Sequence, residues 1–350
     1  MTQPLRVGVV GCGIIGKRYV QDSGAYDAWR PVACADLDTA SADAFAAEFG
    51  LRAEAVHDLI ADPGVDLVLN LTPPAAHAAV VRSALETGKH VYTEKPLATT
   101  AALGRELVAE AVQRGLRLGC APDTFLGSAY ETARRLLASG AIGAPLGAAA
   151  TMLVGGPDSW HPNAEMFYRA GGGPLLDIAP YYLTALVALL GPIEAVAGFT
   201  ETPTPHRTLG AGPRGGRVVT AEVPTYAAAV LRFASGALAT LAVGFESREQ
   251  YVSGMQVFGT TGSLTLPDAN AFEGDLLVAT GRAEPEPVPY ESYGDREARG
   301  LGIQDLAEAL RDGRPHRASG ELALHVLEAA EAIVRAGDEG RVIQLASQAA

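Results

Sequence analysis

A lysine at the end of an apolar run is the first group in this chain placed to do chemistry. Lys95 sits in Glu94-Lys95-Pro96, directly after the strand-like segment His90–Thr93. An ammonium there can donate to a substrate oxygen, stabilising charge on a carbonyl or lowering the pKa of a hydroxyl. Glu94 is placed to orient it and Pro96 to fix the turn, although an ordinary surface Lys-Pro turn fits the same residues. Asp177 and Tyr181 form a second candidate pair. They lie four residues apart after Gly171-Gly172-Gly173-Pro174, on one face of a helix that Pro180 should kink. The phenol can exchange a proton with a substrate. Its apolar neighbours, Tyr182, Leu183, Leu186, Val187 and Leu190, suit a packed core tyrosine as well.

Gly11-Cys12-Gly13-Ile14-Ile15-Gly16 has the spacing G-x-G-x-x-G between an apolar strand and a helical pattern, the context of a dinucleotide-binding turn. Gly11 permits the tight turn, Gly13 lets backbone approach a pyrophosphate, and Gly16 lets helix and strand pack closely. Ile14 and Ile15 open the helix whose N-terminus would face the anion. Asp36, twenty residues beyond Gly16, ends the second strand. A carboxylate there accepts from both ribose hydroxyls and repels a 2′-phosphate, and Leu37 and Asp38 bring no cation, so the pattern points to NAD rather than NADP. Asp38 itself reads as a helix N-terminal charge. Thr72 and Pro73 end the next strand and are expected, with Glu94 and Lys95, to face the cofactor. His77 belongs to the same turn and either joins them or serves the fold.

The elements that must position these groups alternate. Strands are expected at Leu5–Val10, Val32–Asp36, Val65–Leu71, His90–Thr93 and Leu116–Cys120, with a weak one near Ala53. Helical patterns fall at Ile14–Ser23, Thr39–Phe49, Ala75–Thr87 and Thr100–Arg114. Near-continuous apolar strands between helices predict a doubly wound parallel sheet. After Pro122 the pattern changes to one helix, Phe125–Ser139, and then β segments, including Tyr226–Phe233, Ala237–Phe245 and Tyr251–Phe258. Ala-Ser-Gly and Ser-Arg-Glu-Gln turns between the last three suit antiparallel pairing. Pro203–Gly216 reads as a loop, and Gln304–Asp312 and Glu321–Ala336 as closing helices. The expected class is α/β. Residues 1–122 form a Rossmann domain and 123–350 an α/β domain with a large, open, mostly antiparallel sheet and helices on one face.

Composition narrows the partners. A length of 350 residues suits two domains, and 48% hydrophobic residues support packed cores. The net charge of −13, with no basic face, argues against a nucleic-acid partner. The start Met1-Thr2-Gln3-Pro4 has no leader character, and Leu183–Leu190 is too short to span a membrane. Cys12, Cys34 and Cys120 read as buried thiols in a reducing compartment, so a cytoplasmic protein is expected. No metal is implied.

Taken together, GCGIIG, EKP and GGGPLLD with its following aromatic helix resemble the Gfo/Idh/MocA oxidoreductases, in the right order and across nearly the whole chain. The resemblance implies a Rossmann domain followed by a C-terminal α/β domain, NAD(P), and substrates that are mainly sugars, polyols or their derivatives. By motif it assigns Lys95 as the catalytic lysine and Asp177 as the acidic residue after the glycines. Many members continue D-x-G-x-H. Here Asp177-Ile178-Ala179-Pro180-Tyr181 puts tyrosine in the histidine's place, as in glucose–fructose oxidoreductase. Trp160, His161 and Asn163, in a loop before the glycines, become substrate contacts. Asp123, just after the last Rossmann strand, is a further one.

The resulting reading is NAD-dependent hydride transfer at a ring carbon of a sugar-like substrate. Lys95 polarises the oxygen, Tyr181 moves the proton and Asp177 holds the pair. A glycosidase that oxidises its sugar transiently, with no net redox, would use the same residues. A non-catalytic NAD sensor would lack the lysine–tyrosine pair. By analogy an open sheet face implies a homodimer or homotetramer.

Overall fold

The computed structural model describes residues 3–247 and 251–347. Met1 and Thr2, and the expected turn beyond Ser247, lie outside the described residues. Packing divides the chain into two compact units, Met1–Leu126 with Tyr293–Leu324, and Gly127–Ser292 with His325–Ala350.

The first unit is built on β1 (Leu5–Val10), β2 (Trp29–Ala35), β3 (Arg52–Ala53), β4 (Leu67–Asn70), β5 (His90–Thr93) and β6 (Leu118–Cys120). All pair in parallel, in the order β3-β2-β1-β4-β5-β6. Helices α1 (Ile14–Asp22), α2 (Thr39–Phe49), α3 (Val56–Ala61), α4 (Pro74–Glu86) and α5 (Ala101–Gln113) connect them. Val7, Val9, Leu67, Val68, Leu69 and Val91 are fully buried, which is why these strands read as unbroken apolar runs. The order reverses at β1. The chain steps out to β2 and β3, then returns to β4 on the other side, and such a switch point opens a crevice at the carboxyl ends of β1 and β4. Asp38 caps α2, accepting from the Ala40 N–H. The short helix α3 falls in none of the predicted elements, because six residues are too few to show a helical period.

In the second unit, α6 (Ser128–Ala138), β7 (Pro145–Leu153), α7 (Pro174–Asp177), α8 (Ala179–Leu190) and β8 (Ile193–Glu201) come first. A two-stranded ribbon follows, β9 (His206–Thr208) and β10 (Val218–Thr220). Then come β11 (Tyr226–Phe233), β12 (Leu238–Gly244), β13 (Val252–Gly259), β14 (Gly262–Leu266), β15 (Leu277–Thr280) and β16 (Glu286–Pro287). Helices α9 (Leu301–Asp312) and α10 (Gly320–Glu339) and the strand β17 (Ile343–Gln344) close the chain. The large sheet runs β16-β15-β14-β13-β7-β12-β11-β8-β17 and is antiparallel except between β7 and β12. Along β11, Ala227, Ala229, Leu231 and Phe233 are buried while Ala228, Val230 and Arg232 are exposed. The helices α6, α7 and α8 pack on the buried side. Phe199, Val230, Leu238 and Phe258 are exposed on the other.

Three expectations are corrected. β12 and β13 do not pair with each other, because β7 lies between them, parallel to one and antiparallel to the other. Turn chemistry between consecutive strands cannot reveal a strand inserted from earlier in the chain. Pro203–Gly216 is not all loop: it holds β9, whose three residues are too few to show alternation. Finally, Tyr293–Leu324 packs with the first unit, where α9 lies on β2 and β6.

His325, on α10, is fully buried, and its Nε2 accepts the Ile193 N–H at the head of β8 at 2.9 Å. The ring proton therefore sits on Nδ1, 2.9 Å from Ser347 Oγ. Burial lowers this pKa from the ordinary 6.5. A depressed histidine pKa contributes stability above pH 6.5 that is lost as pH falls below that value. Denaturant midpoints at pH about 7.5 and about 5.5 should differ more in the wild type than in His325→Gln, whose amide oxygen can accept from Ile193 without titrating. Equal differences would place the acid sensitivity in other groups.

Candidate active site

The site in the first unit starts from a backbone collision that only glycine avoids. Gly11 leaves β1 at φ 107°, and a Cβ added there would stand 2.6 Å from the Leu71 carbonyl oxygen. At Gly16 a Cβ would stand 2.5 Å from the Gly11 carbonyl oxygen, so α1 lies directly on the turn. At Gly13 a Cβ would meet nothing within 4 Å, and no side chain caps α1. Among the described residues no side chain takes the first N–H groups of the helix, which suits them to an anion. Ile14 and Ile15 are exposed beside it.

Asp36 follows β2, half-buried. Its Oδ2 accepts the Cys12 N–H at 2.8 Å and its Oδ1 the Asp38 N–H at 3.0 Å. The carboxylate is thus fixed beside the glycine turn, with Leu37, 95% exposed, next to it. An uncapped helix N-terminus, an unfilled glycine cradle and an anchored carboxylate fit the pyrophosphate and ribose of a dinucleotide.

The neighbouring turns are tied by buried polar groups. Asn70, at the end of β4, accepts from Thr72 Oγ at 2.7 Å and donates to Thr93 Oγ at 3.1 Å and to the His77 carbonyl at 3.2 Å. Thr72 lies beside Gly11, where an added Cβ would stand 3.1 Å from the Thr72 nitrogen. His77 differs from expectation. Its ring is buried and faces backbone, with Nδ1 2.7 Å from the Pro96 carbonyl and Nε2 2.7 Å from the Thr72 carbonyl. Both ring nitrogens face backbone carbonyls and the ring is buried, which leaves it no surface for a cofactor. Burial lowers its pKa, opposed by the two carbonyls and Glu94.

Glu94 also acts inward. Its carboxylate accepts from the Tyr19 hydroxyl at 3.1 Å and from the Lys95 N–H at 3.0 Å, steering the lysine through its backbone. Burial and the Glu94 charge push the Tyr19 phenol well above its ordinary pKa, so it stays a donor. Lys95 is half-buried at the carboxyl end of β5, and the Lys95–Pro96 peptide is cis.

Asp123 is corrected outright. It is fully buried, and its Oδ2 accepts the N–H groups of Gly300 and Gly302 at 3.0 and 3.1 Å, with Arg299 Nη1 3.6 Å from Oδ1. It anchors the start of α9, and a side chain spent on that turn has no surface for substrate. Position after a strand in sequence cannot tell which way a carboxylate faces.

In the second unit Gly172 and Gly173 pack directly against backbone. Gly172 packs so closely that a Cβ would meet the Phe167 carbonyl oxygen at 2.6 Å, and the Gly173 N–H donates to that oxygen at 2.7 Å. This draws the segment carrying Trp160, His161 and Asn163 toward α7, and the Asp177 charge acts on His161, opposing the burial that lowers its pKa. His161 Nδ1 accepts the Asn163 N–H at 3.0 Å, leaving the proton of a neutral ring on Nε2. Edge contacts with Trp160 and Phe167, at centroid distances of 5.2 and 5.0 Å, hold the ring. Trp160 is exposed. The helix expected to kink at Pro180 breaks instead into α7 and α8, with Tyr181 in the first turn of α8. Asp177 and Tyr181 are both half-buried. The core tyrosine here is Tyr182, fully buried and donating to Asp268 Oδ1 at 2.8 Å.

Sequence reasoning missed Asn70, Tyr19 and Arg299. Asn70 had a signal, a lone amide closing an apolar strand; the other two lie far in sequence from the groups they hold. Among the described residues, no group of three His, Cys, Asp or Glu side chains is arranged to hold a metal ion, and no helix is long and apolar enough to cross a membrane.

Comparison with known proteins agrees with this geometry. Residues 5–121 match the family model "Oxidoreductase family, NAD-binding Rossmann fold" and residues 130–265 the "GFO/IDH/MocA C-terminal domain". The dTDP-3,4-didehydro-2,6-dideoxy-alpha-D-glucose 3-reductase of Streptomyces antibioticus is 34% identical over 269 residues, 76% of each chain. The levoglucosan dehydrogenase of Pseudarthrobacter phenanthrenivorans is 28% identical over 364 residues, 89% of this chain and 90% of that one. A solved structure of levoglucosan dehydrogenase in complex with NADH superposes with a TM-score of 0.86 at 23% identity, covering 99% of this chain and 100% of that one, a likeness of fold. With the glycine turn, the anchored carboxylate and both family domains in place, this chain is a member of the GFO/IDH/MocA family of NAD-binding oxidoreductases.

Proposed function

We propose that this enzyme moves a hydride between NAD and a ring carbon bearing a hydroxyl or carbonyl group in a sugar, polyol or sugar derivative. The observation that carries the reading is Lys95 at the carboxyl end of β5, on the same sheet edge as the glycine turn and Asp36. Both relatives described above are, by name, redox enzymes of cyclic sugars. This supports a net oxidation or reduction over glycoside cleavage.

Bound nicotinamide supplies the hydride acceptor or donor. Lys95 donates a hydrogen bond to the reacting oxygen and stabilises the charge that gathers there. The Tyr181 phenolate takes the hydroxyl proton in oxidation, and the phenol returns it in reduction. Its half-buried place beside a fully buried Tyr182 supports this, because the core needs only one of the two. Asp177 keeps the local field negative and orients His161, while Trp160 and Asn163 contribute to substrate recognition. Three free thiols, Cys12, Cys34 and Cys120, are consistent with a cytoplasmic enzyme, and the exposed apolar sheet face with a homodimer or homotetramer.

Three outcomes are expected. With a panel of cyclic polyols and sugars, levoglucosan included, read by NADH absorbance and product analysis, kcat/KM should be higher with NAD than with NADP. Asp36→Ala should narrow that gap; a wild type that prefers NADP would remove the role given to Asp36. Lys95→Met should fold and bind NADH but lose turnover by ~10²-fold or more, whereas near-normal kcat would return Lys95 to an ordinary turn. In Tyr181→Phe, kcat should fall and its pH profile change while Tm is nearly kept. A lowered Tm with kcat within a few-fold of wild type would make Tyr181 packing and pass the proton to His161.

A further inference from the structure

His77 is a buried imidazole with no opening to a ligand, yet a leucine or phenylalanine would fill the same space without the cost of burying two ring nitrogens. Each of those nitrogens faces a carbonyl oxygen, and both can donate at once only while both carry a proton, the form that the two carbonyls and Glu94 favour against burial. Nδ1 lies 2.7 Å from the carbonyl of Pro96 and Nε2 2.7 Å from the carbonyl of Thr72. The two carbonyls belong to different turns. One is Leu71–Pro73, after β4, whose backbone touches the Gly11 turn. The other is Glu94–Pro96, after β5, which carries Lys95. The backbone of His77 is held in turn, its carbonyl accepting from Asn70 Nδ2 at 3.2 Å. Asn70 also accepts the Thr72 hydroxyl and donates to Thr93, so the ring sits on a support shared by both turns.

We propose that His77 is a positioning residue: its ring is a strut that sets the separation of the cofactor turn at Thr72 from the lysine turn at Pro96, without touching cofactor or substrate. The proposal rests on the reading of those turns given above. Each nitrogen serves one turn, so the two functions are separable. Nδ1 holds the lysine side and Nε2 the cofactor side.

Two amide side chains separate them. In His77→Asn the amide nitrogen can take the place of Nδ1 and keep the bond to Pro96 while releasing Thr72. In His77→Gln it can take the place of Nε2 and keep Thr72 while releasing Pro96. His77→Phe fills the ring volume with neither donor. The chain's lysines are Lys17, Lys89 and Lys95, so reductive ¹³C-methylation gives a simple spectrum in which Lys95→Met assigns the Lys95 signal. NADH affinity is read by fluorescence titration. His77→Asn should weaken NADH binding about tenfold, the scale of one lost hydrogen bond, and leave the Lys95 resonance in place. His77→Gln should keep NADH affinity within about twofold and move the Lys95 resonance. His77→Phe, where it folds, should do both.

If the Asn and Gln variants behave alike in the two readouts, or show the reverse pattern, the strut is overturned and His77 is merely structural. Failure of the function itself looks different. A wild type that does not bind NADH, or a Lys95→Met variant with full turnover, removes the reading of the turns, while the Lys95 resonance in the Asn and Gln variants still reports on the ring.

Discussion

The first unit depends on one close approach, the Gly11 backbone against the Leu71 carbonyl. β1 and β4 are neighbours in register, Val10 opposite Asn70, and the chain must leave both strands at the same edge in different directions. Any side chain at Gly11 would meet the departing β4 backbone, and any at Gly16 would lift α1 from the turn. With both positions bare, the start of α1 is held where the sheet order reverses. Asp36 is then fixed by a bond to the very next residue of the turn, Cys12, so the carboxylate and the helix N-terminus share one rigid frame.

From that frame outward, order is carried by polar groups inside an apolar sheet. Asn70, Thr72, Thr93, His77, Glu94 and Tyr19 are linked so that the turns after β4 and β5 keep their places beside the turn after β1. Buried polar groups of this kind stabilise only when satisfied, and satisfied they allow few alternative arrangements. The second unit solves a related problem with backbone alone. Gly172 and Gly173 press the chain against the Met166–Phe167 turn, so backbone contacts join the loop bearing His161 to the helix bearing Asp177.

The residues that bind by backbone and spacing were legible in the sequence. The glycine turn, Asp36 and EKP announce themselves because each is a local arrangement on a strand end, and the covered strands read as apolar runs. What stayed hidden was set by long-range contact. Asp123 looked available until α9, from nearly 180 positions later, placed Gly300 and Gly302 on its carboxylate. The inserted strand β7 could not be inferred from β12 and β13, whose own patterns are complete without it. His77 gave the right neighbourhood and the wrong direction, since spacing reports which turn a ring is near but not which way its nitrogens point.

Both compact units are closed by segments that follow the rest of their residues in sequence. Tyr293–Leu324 returns to the first, and β17, at Ile343–Gln344, adds the edge strand beside β8 in the second. During synthesis from the N-terminus, neither unit can therefore finish packing until Tyr293–Leu324 and Ile343–Gln344 have left the ribosome. The nascent parallel sheet spends that interval without α9 over β2 and β6, and Asp123 without the backbone N–H groups that satisfy it. In that interval the chain is an open intermediate with apolar surface showing, a state in which chaperone capture and aggregation compete with folding.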